Sequence, residues 1–137
     1  MKYNQDLQEI INNFAILENW EDKYTYIIEL GKQLIPLEEK YKNQSNKVAG
    51  CISKVWLIHR IDKGRLYFQA DSDAYIVKGL ITILMKILSG KTAKEIIDFE
   101  IEELFQILQL KEHLTSGRSN GFFAIANKIK AIAENNL

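Results

Sequence analysis

Between Asp71 and Gly90 the chain reads DSDAYIVKGLITILMKILSG. At helical spacing its polar positions, Tyr75, Lys78, Thr82 and Lys86, fall in one narrow stripe. Every other face of that helix is apolar, so most of its circumference must be covered by other parts of the fold. The segment from Ile76 to Leu88 carries two lysines and falls short of the roughly 20 residues needed to cross a bilayer. It therefore reads as the central helix of a water-soluble domain, laid on a sheet, with Gly79 permitting a close approach. Ser72 is the expected N-cap, and Gly90 stands just past the C-terminal end.

What surrounds that helix follows from periodicity. Leu7, Ile10, Ile11, Phe14 and Leu17 form one apolar stripe, and Trp20, Tyr24, Ile27, Ile28 and Leu34 form a second. Asn19 suits the cap between them, with Asp22 three places on, and Pro36 is the expected terminator. EEKYKNQSNK is polar and reads as an exposed connection. From Ser53 to Asp62 β-branched and aromatic residues dominate, and RLYFQA is the returning strand. DKG, Asp62 to Gly64, suits a three-residue hairpin loop with glycine left-handed. Val48 and Ala49 are assigned to a short first strand. Beyond the central helix, TAKE at Thr92–Glu95 matches a capping box and IEELFQILQL reads as one short helix. After a turn at TSGRSNG, Phe122, Ile125, Ala126, Ile129, Ile132 and Ala133 mark a final amphipathic helix. The expected order is ααβββαααα: one α+β domain over residues 1–137, with a small three-stranded antiparallel sheet packed against helices.

Composition narrows the function. Lysine plus arginine number 18 and so do aspartate plus glutamate, so no net field favours nucleic acid or anionic lipid. MKYNQDLQEIINNF is polar where a leader needs an apolar block, and a single cysteine precludes an internal disulfide. These features fit a cytoplasmic protein with a reduced thiol, no membrane and no nucleic-acid partner. There is no CxxC, HExxH, glycine-rich phosphate loop or GxSxG, and one Cys with two His is a poor zinc ligand set. Glu38–Glu39 and Glu102–Glu103 are neighbours that diverge on a helix, and read as solvated faces. Along an extended chain Cys51 and His59 lie about 26 Å apart, too far for a dyad. His113 could reach Cys51 only through tertiary folding.

Cys51 itself has two readings. A free cysteine is most often a small buried hydrophobe. Yet this one follows Gly50, which interrupts strand propensity, at the corner between a polar loop and an apolar run. A thiol there can swing outward. Its nearest cations along the chain, Lys47 and Lys54, do not adjoin it, so sequence alone assigns no lowered thiol pKa.

GCISKVWL, then ADSDAYIVKGLITIL, then HLTSGRSNG resemble, in order and spacing, the SufE family of sulfur acceptors for cysteine desulfurases. The similarity runs from the second helix to the last. One departure is visible: where the family commonly has proline and serine before the arginine of the third motif, this chain has Ser116 and Gly117. The resemblance implies a SufE/IscU-like fold and Cys51 as the persulfide acceptor. It implies a SufS-like desulfurase as partner, with pyridoxal phosphate belonging to that partner and no cofactor held here. Delivery would be to a cluster scaffold such as a SufBCD-like complex. It further implies that Gly50 hinges the cysteine loop and that Ser53 and Trp56 shape it, though Trp56 also reads as a plain core aromatic. Asp71, Ser72 and Asp73 read as helix-start residues, and Asp73 in addition as a group that sets the loop. Arg118 is implied at the desulfurase contact, against a purely structural hydrogen-bonding role. The rival readings are a non-carrying adaptor for a desulfurase, sulfur relay to another pathway, and a stand-alone thiol enzyme such as a peroxidase. The last lacks an evident base or resolving cysteine.

Overall fold

The computed structural model describes residues 5–137; Met1–Asn4, the start of the segment read above as too polar for a leader, lie outside it. Helix α1 (Gln5–Ile16) buries Leu7, Ile10 and Phe14, the expected stripe. Helix α2 (Trp20–Gly31) is capped as expected, the Asn19 side chain accepting from the Asp22 amide at 2.8 Å. It ends at Gly31, well before Pro36, and a turn in which the Leu34 amide donates to the Gly31 carbonyl takes over.

Strands β1 (Val55–Asp62) and β2 (Arg65–Ser72) pair antiparallel, Val55 opposite Ser72 and Asp62 opposite Arg65. The hairpin loop is therefore two residues, not three. Lys63 and Gly64 both take positive φ, 52° and 77°, the twist of a primed turn that matches the strands it joins. The third strand is also misplaced by the sequence reading. It is β3 (Lys91–Thr92), which follows the central helix and pairs with Arg65 and Leu66. Val48 and Ala49 do not form a strand. Lys47 makes one isolated bridge to Trp56, the Val48 amide donates to the Val55 carbonyl at 2.9 Å, and Gly50 then turns the chain away at φ 88°. The observed order is ααββαβαααα, still an α+β fold on a three-stranded antiparallel sheet.

The central helix is α3 (Tyr75–Leu88), and ten of its fourteen residues are buried. It packs on β2, α1, α2 and the last helix. Thr82, buried among them, satisfies its hydroxyl by donating to the Lys78 carbonyl at 2.8 Å. Gly79 does permit a close approach, but to α2: a Cβ there would run into the Ile27 carbonyl. Ser72 is not the N-cap. It closes β2, and its hydroxyl accepts from the Ala74 amide at 3.2 Å, just ahead of the helix.

The remaining chain wraps the same core. Helix α4 (Ala93–Asp98) opens with the expected capping box between Thr92 and Glu95. IEELFQILQL is helical only over α5 (Ile101–Ile107); Gln109 turns left-handed at φ 54°, and a separate helix, α6 (Leu110–His113), begins at the last residue of the stretch. TSGRSNG is not a turn. Thr115 caps α7 (Ser116–Glu134), accepting from the Arg118 amide at 3.3 Å, so the motif forms the first turns of the longest helix. Two glycines there cost helix propensity, about 1 kcal/mol each relative to alanine. Packing against the segment before β1 overrides that cost.

Candidate functional site

The segment between Val48 and Val55 leaves the sheet as a loop fastened at its base. Val48 is tied to Val55 as above. At the other end the Lys54 amide donates to Asp73 Oδ1 at 3.0 Å, and the Asp73 amide returns a bond to the Lys54 carbonyl at 3.3 Å. Asp73, just ahead of α3, thus holds the exit of the loop. Gly50 holds the bend, in a conformation that an L side chain rarely adopts.

At the tip, Cys51 is half-buried. Its Sγ donates to the Gly121 carbonyl of α7 at 3.7 Å. Beneath it lies a cavity of about 250 Å³, walled by Val77 and Leu80 of α3 and by Phe122 and Ile125 of α7. Ser53 reaches this cavity, and Thr115 and Arg118 stand on its polar side. Burial pushes the Cys51 thiol up, away from ionisation. Ile52, next to the thiol, is 87% exposed and lies over Gly117, where a Cβ would collide with its Cδ1.

Neither histidine serves the thiol. His113 stacks on Trp20, centroids 4.3 Å apart, and exposed His59 lies on β1 near Phe68; neither lines the cavity. Among the described residues Arg118 is the charged residue that does. It sits in the first turn of α7, where the helix dipole disfavours a cation, and its guanidinium lies 5.7 Å from the Tyr24 ring centre. Among the described residues it forms no ion pair with a carboxylate.

The structure thus brings Gly50, Cys51, Ser53, Asp73 and Arg118 around one loop and cavity. It does not bring Trp56 there. Val55 and Leu57 point into the core, so Trp56 faces the other side of β1, partly exposed, with Lys42 Nζ 5.5 Å from its ring centre. It is neither a core aromatic nor a wall of the cavity. Strand alternation beside two buried neighbours carried that signal.

Two features escaped the sequence reading. Gly121, whose carbonyl meets the thiol, lay hidden in a presumed turn. Asp71, read as a helix-start residue, is 2% exposed and anchors the neighbouring corner. Its carboxylate accepts from the amides of Leu37 at 3.1 Å and Ser72 at 2.8 Å, with Lys42 and Lys78 Nζ at 3.4 and 3.8 Å. Burial opposes its ionisation, but those amides and ammonium groups prevail and hold its carboxyl below the usual range.

Among the described residues, no helix is long and apolar enough to cross a membrane. Comparison with known proteins gives this geometry its relatives. An uncharacterized SufE-like protein of Rhizobium meliloti (strain 1021) is 43% identical over 135 residues, 96% of each chain. A second, from Rhizobium etli, is 42% identical over 132 residues, covering 93% of this chain and 89% of the relative. The solution structure of a hypothetical protein from Thermus thermophilus superposes with a TM-score of 0.78 over 98% of both chains at 16% identity, a likeness of fold alone. The model of the SufE family, described as an Fe-S metabolism associated domain, matches residues 8–133. With a match of that extent, the chain belongs to the SufE family.

Proposed function

We propose that this protein is the sulfur acceptor and activator of a pyridoxal-phosphate-dependent cysteine desulfurase, taking sulfane sulfur onto Cys51 and delivering it for iron–sulfur cluster assembly. The observation that supports this most is the placement of the one thiol: at the tip of a glycine-hinged loop, beside an apolar cavity, with no histidine or carboxylate lining it. An enzyme acting alone would need an activating group there. A carrier needs only access and alignment, which docking supplies.

The transfer is a thiol–disulfide exchange. The desulfurase holds a persulfide on its own cysteine. Cys51 thiolate attacks the outer sulfur; a bond forms between Cys51 Sγ and that sulfur as the donor's S–S bond breaks. The donor cysteine leaves as a thiolate and is reduced, Cys51 is oxidised, and the proton shed by Cys51 is available to the leaving thiolate. Attack on the inner sulfur would instead give a mixed disulfide and lose sulfide. Because the resting thiol is half-buried and biased toward its protonated form, reaction requires the loop to swing out into the partner's site. Gly50 provides the hinge and Asp73 keeps the base of the loop in place. Arg118, a cation at the mouth with no carboxylate paired to it among the described residues, meets an acidic or anionic group of the desulfurase. A SufBCD-like scaffold in the cytoplasm is the proposed recipient.

The test is desulfurase turnover of free cysteine with wild type and with Cys51→Ser. A carrier stimulates turnover, and the serine variant binds but does not stimulate. Equal stimulation by both would make the protein an adaptor. Reaction with peroxide in the absence of any desulfurase would point to a stand-alone thiol enzyme.

A further inference from the structure

We infer that the Gly121 carbonyl is a positioning group that admits neutral Cys51 to the cavity and rejects its anions, so that the loop closes on the empty carrier and opens on the loaded one. This rests on the carrier reading and adds a direction to it.

The Cys51–Gly121 contact works in one protonation state only. A carbonyl oxygen has no hydrogen to give, so the 3.7 Å bond exists while sulfur keeps its proton. Remove the proton, and an anion faces a lone pair inside an apolar cavity, where burying an uncompensated charge is costly. The walls against the sulfur are mostly apolar: from α3 come Val77 and Leu80, and from α7 Gly121, Phe122 and Ile125, with the hydroxyls of Ser53 and Thr115 and the Arg118 cation completing the described lining. On the loop's own side, Lys54 is exposed and Asp73 is engaged with the Lys54 amide. Burial pushes the thiol up, and among the described residues no cation offsets it.

Charge of the opposite kind lines another part of the cavity. There α7 begins, with its amides at the positive end of the helix dipole, and there Arg118 stands. An ionised sulfur is therefore repelled by the Gly121 carbonyl and drawn toward the start of α7. A persulfide is more acidic than its parent thiol, because its charge sits on a terminal sulfur bonded to a second sulfur. Loading thus converts a group the cavity accepts into one it rejects. A Cβ on Gly121 would lie 3.6 Å from Cys51 Sγ, an ordinary contact, so a methyl group there leaves the loop closed.

Hydrogen exchange of residues 49–54 in the free protein, read by mass spectrometry, tests this. Cys51→Asp and Cys51→Asn match in size and differ in charge. The aspartate variant should exchange at least about tenfold faster there, a shift of about 1.4 kcal/mol in opening. Reduced wild type and Gly121→Ala should behave like Cys51→Asn. Wild type given one sulfane sulfur by inorganic polysulfide, verified by intact mass, should behave like Cys51→Asp. Equal exchange in Cys51→Asp and Cys51→Asn would overturn the inference, as would no change on loading, or opening in Gly121→Ala. Thermal unfolding of each variant confirms that the fold is retained. No desulfurase is present, so failure here leaves the carrier reading standing, while failure of that reading appears only in the turnover assay.

Discussion

Two corners of the molecule flank the end of β2, and they are built to opposite specifications. At Asp71 a buried carboxylate is met by two amides and two ammonium groups, tying the 37–42 segment, the strand and α3 together. Across β1, the Cys51 tip meets α7 through a weak sulfur hydrogen bond and leaves Ile52 in solvent. The first corner is costly to disturb and the second is nearly free to move. The carrier proposed above needs both, since a loop that is to swing must do so from a frame that does not.

Substitutions should separate the corners by size of effect. Asp71→Ala takes the carboxylate from two amides and from Lys78, and leaves Lys42 with exposed Glu39 alone, and should cost about 3 kcal/mol of stability by denaturant titration. A loss below about 1 kcal/mol would place the clamp elsewhere. The same corner should govern acid sensitivity. A carboxyl held below its ordinary value adds stability that is fully present above the unfolded value of about 3.9 and lost as pH falls through the lower folded one. Wild type should therefore lose more stability than Asp71→Asn between about pH 5 and pH 2, and parallel curves would refute the assignment.

Gly50→Ala forces a side chain into a left-handed bend and should cost about 1 kcal/mol, with slower sulfur uptake as the hinge stiffens. Asp73→Ala frees the Lys54 amide at an exposed site and should also cost about 1 kcal/mol, while raising hydrogen exchange in the loop but not in the hairpin. Smallest of all, Ile52→Ala should change stability by less than about 0.5 kcal/mol, because its side chain is already in solvent. Its effect should appear instead as weaker association with the desulfurase, measured by titration.

The scaffold was legible where one physical pattern decides the outcome. A helix apolar on all but one narrow stripe had to be central, and α3 is. Asn19 and Thr92 offered side-chain acceptors at the right spacing and cap as read. What misled was local chemistry overruled by distant packing. Lys63 adopts a left-handed conformation that its residue type does not advertise, shortening the hairpin. The two residues of β3 are too few to show alternation. Glycines in α7 suggested a turn, yet they lie where the cysteine loop packs on the helix. In the site, the motifs pointed to the residues but not to their duties. Asp71 and Asp73, two positions apart, divide into a buried clamp and a loop fastener, a difference that only the neighbours on other elements create.

The most direct measurement is the intact mass of the protein after a single turnover with a desulfurase and free cysteine, taken without reductant. A sulfur acceptor gains one sulfur atom, mapped to the peptide containing Cys51 and absent from Cys51→Ser. An unchanged mass under conditions where turnover is stimulated would contradict that role.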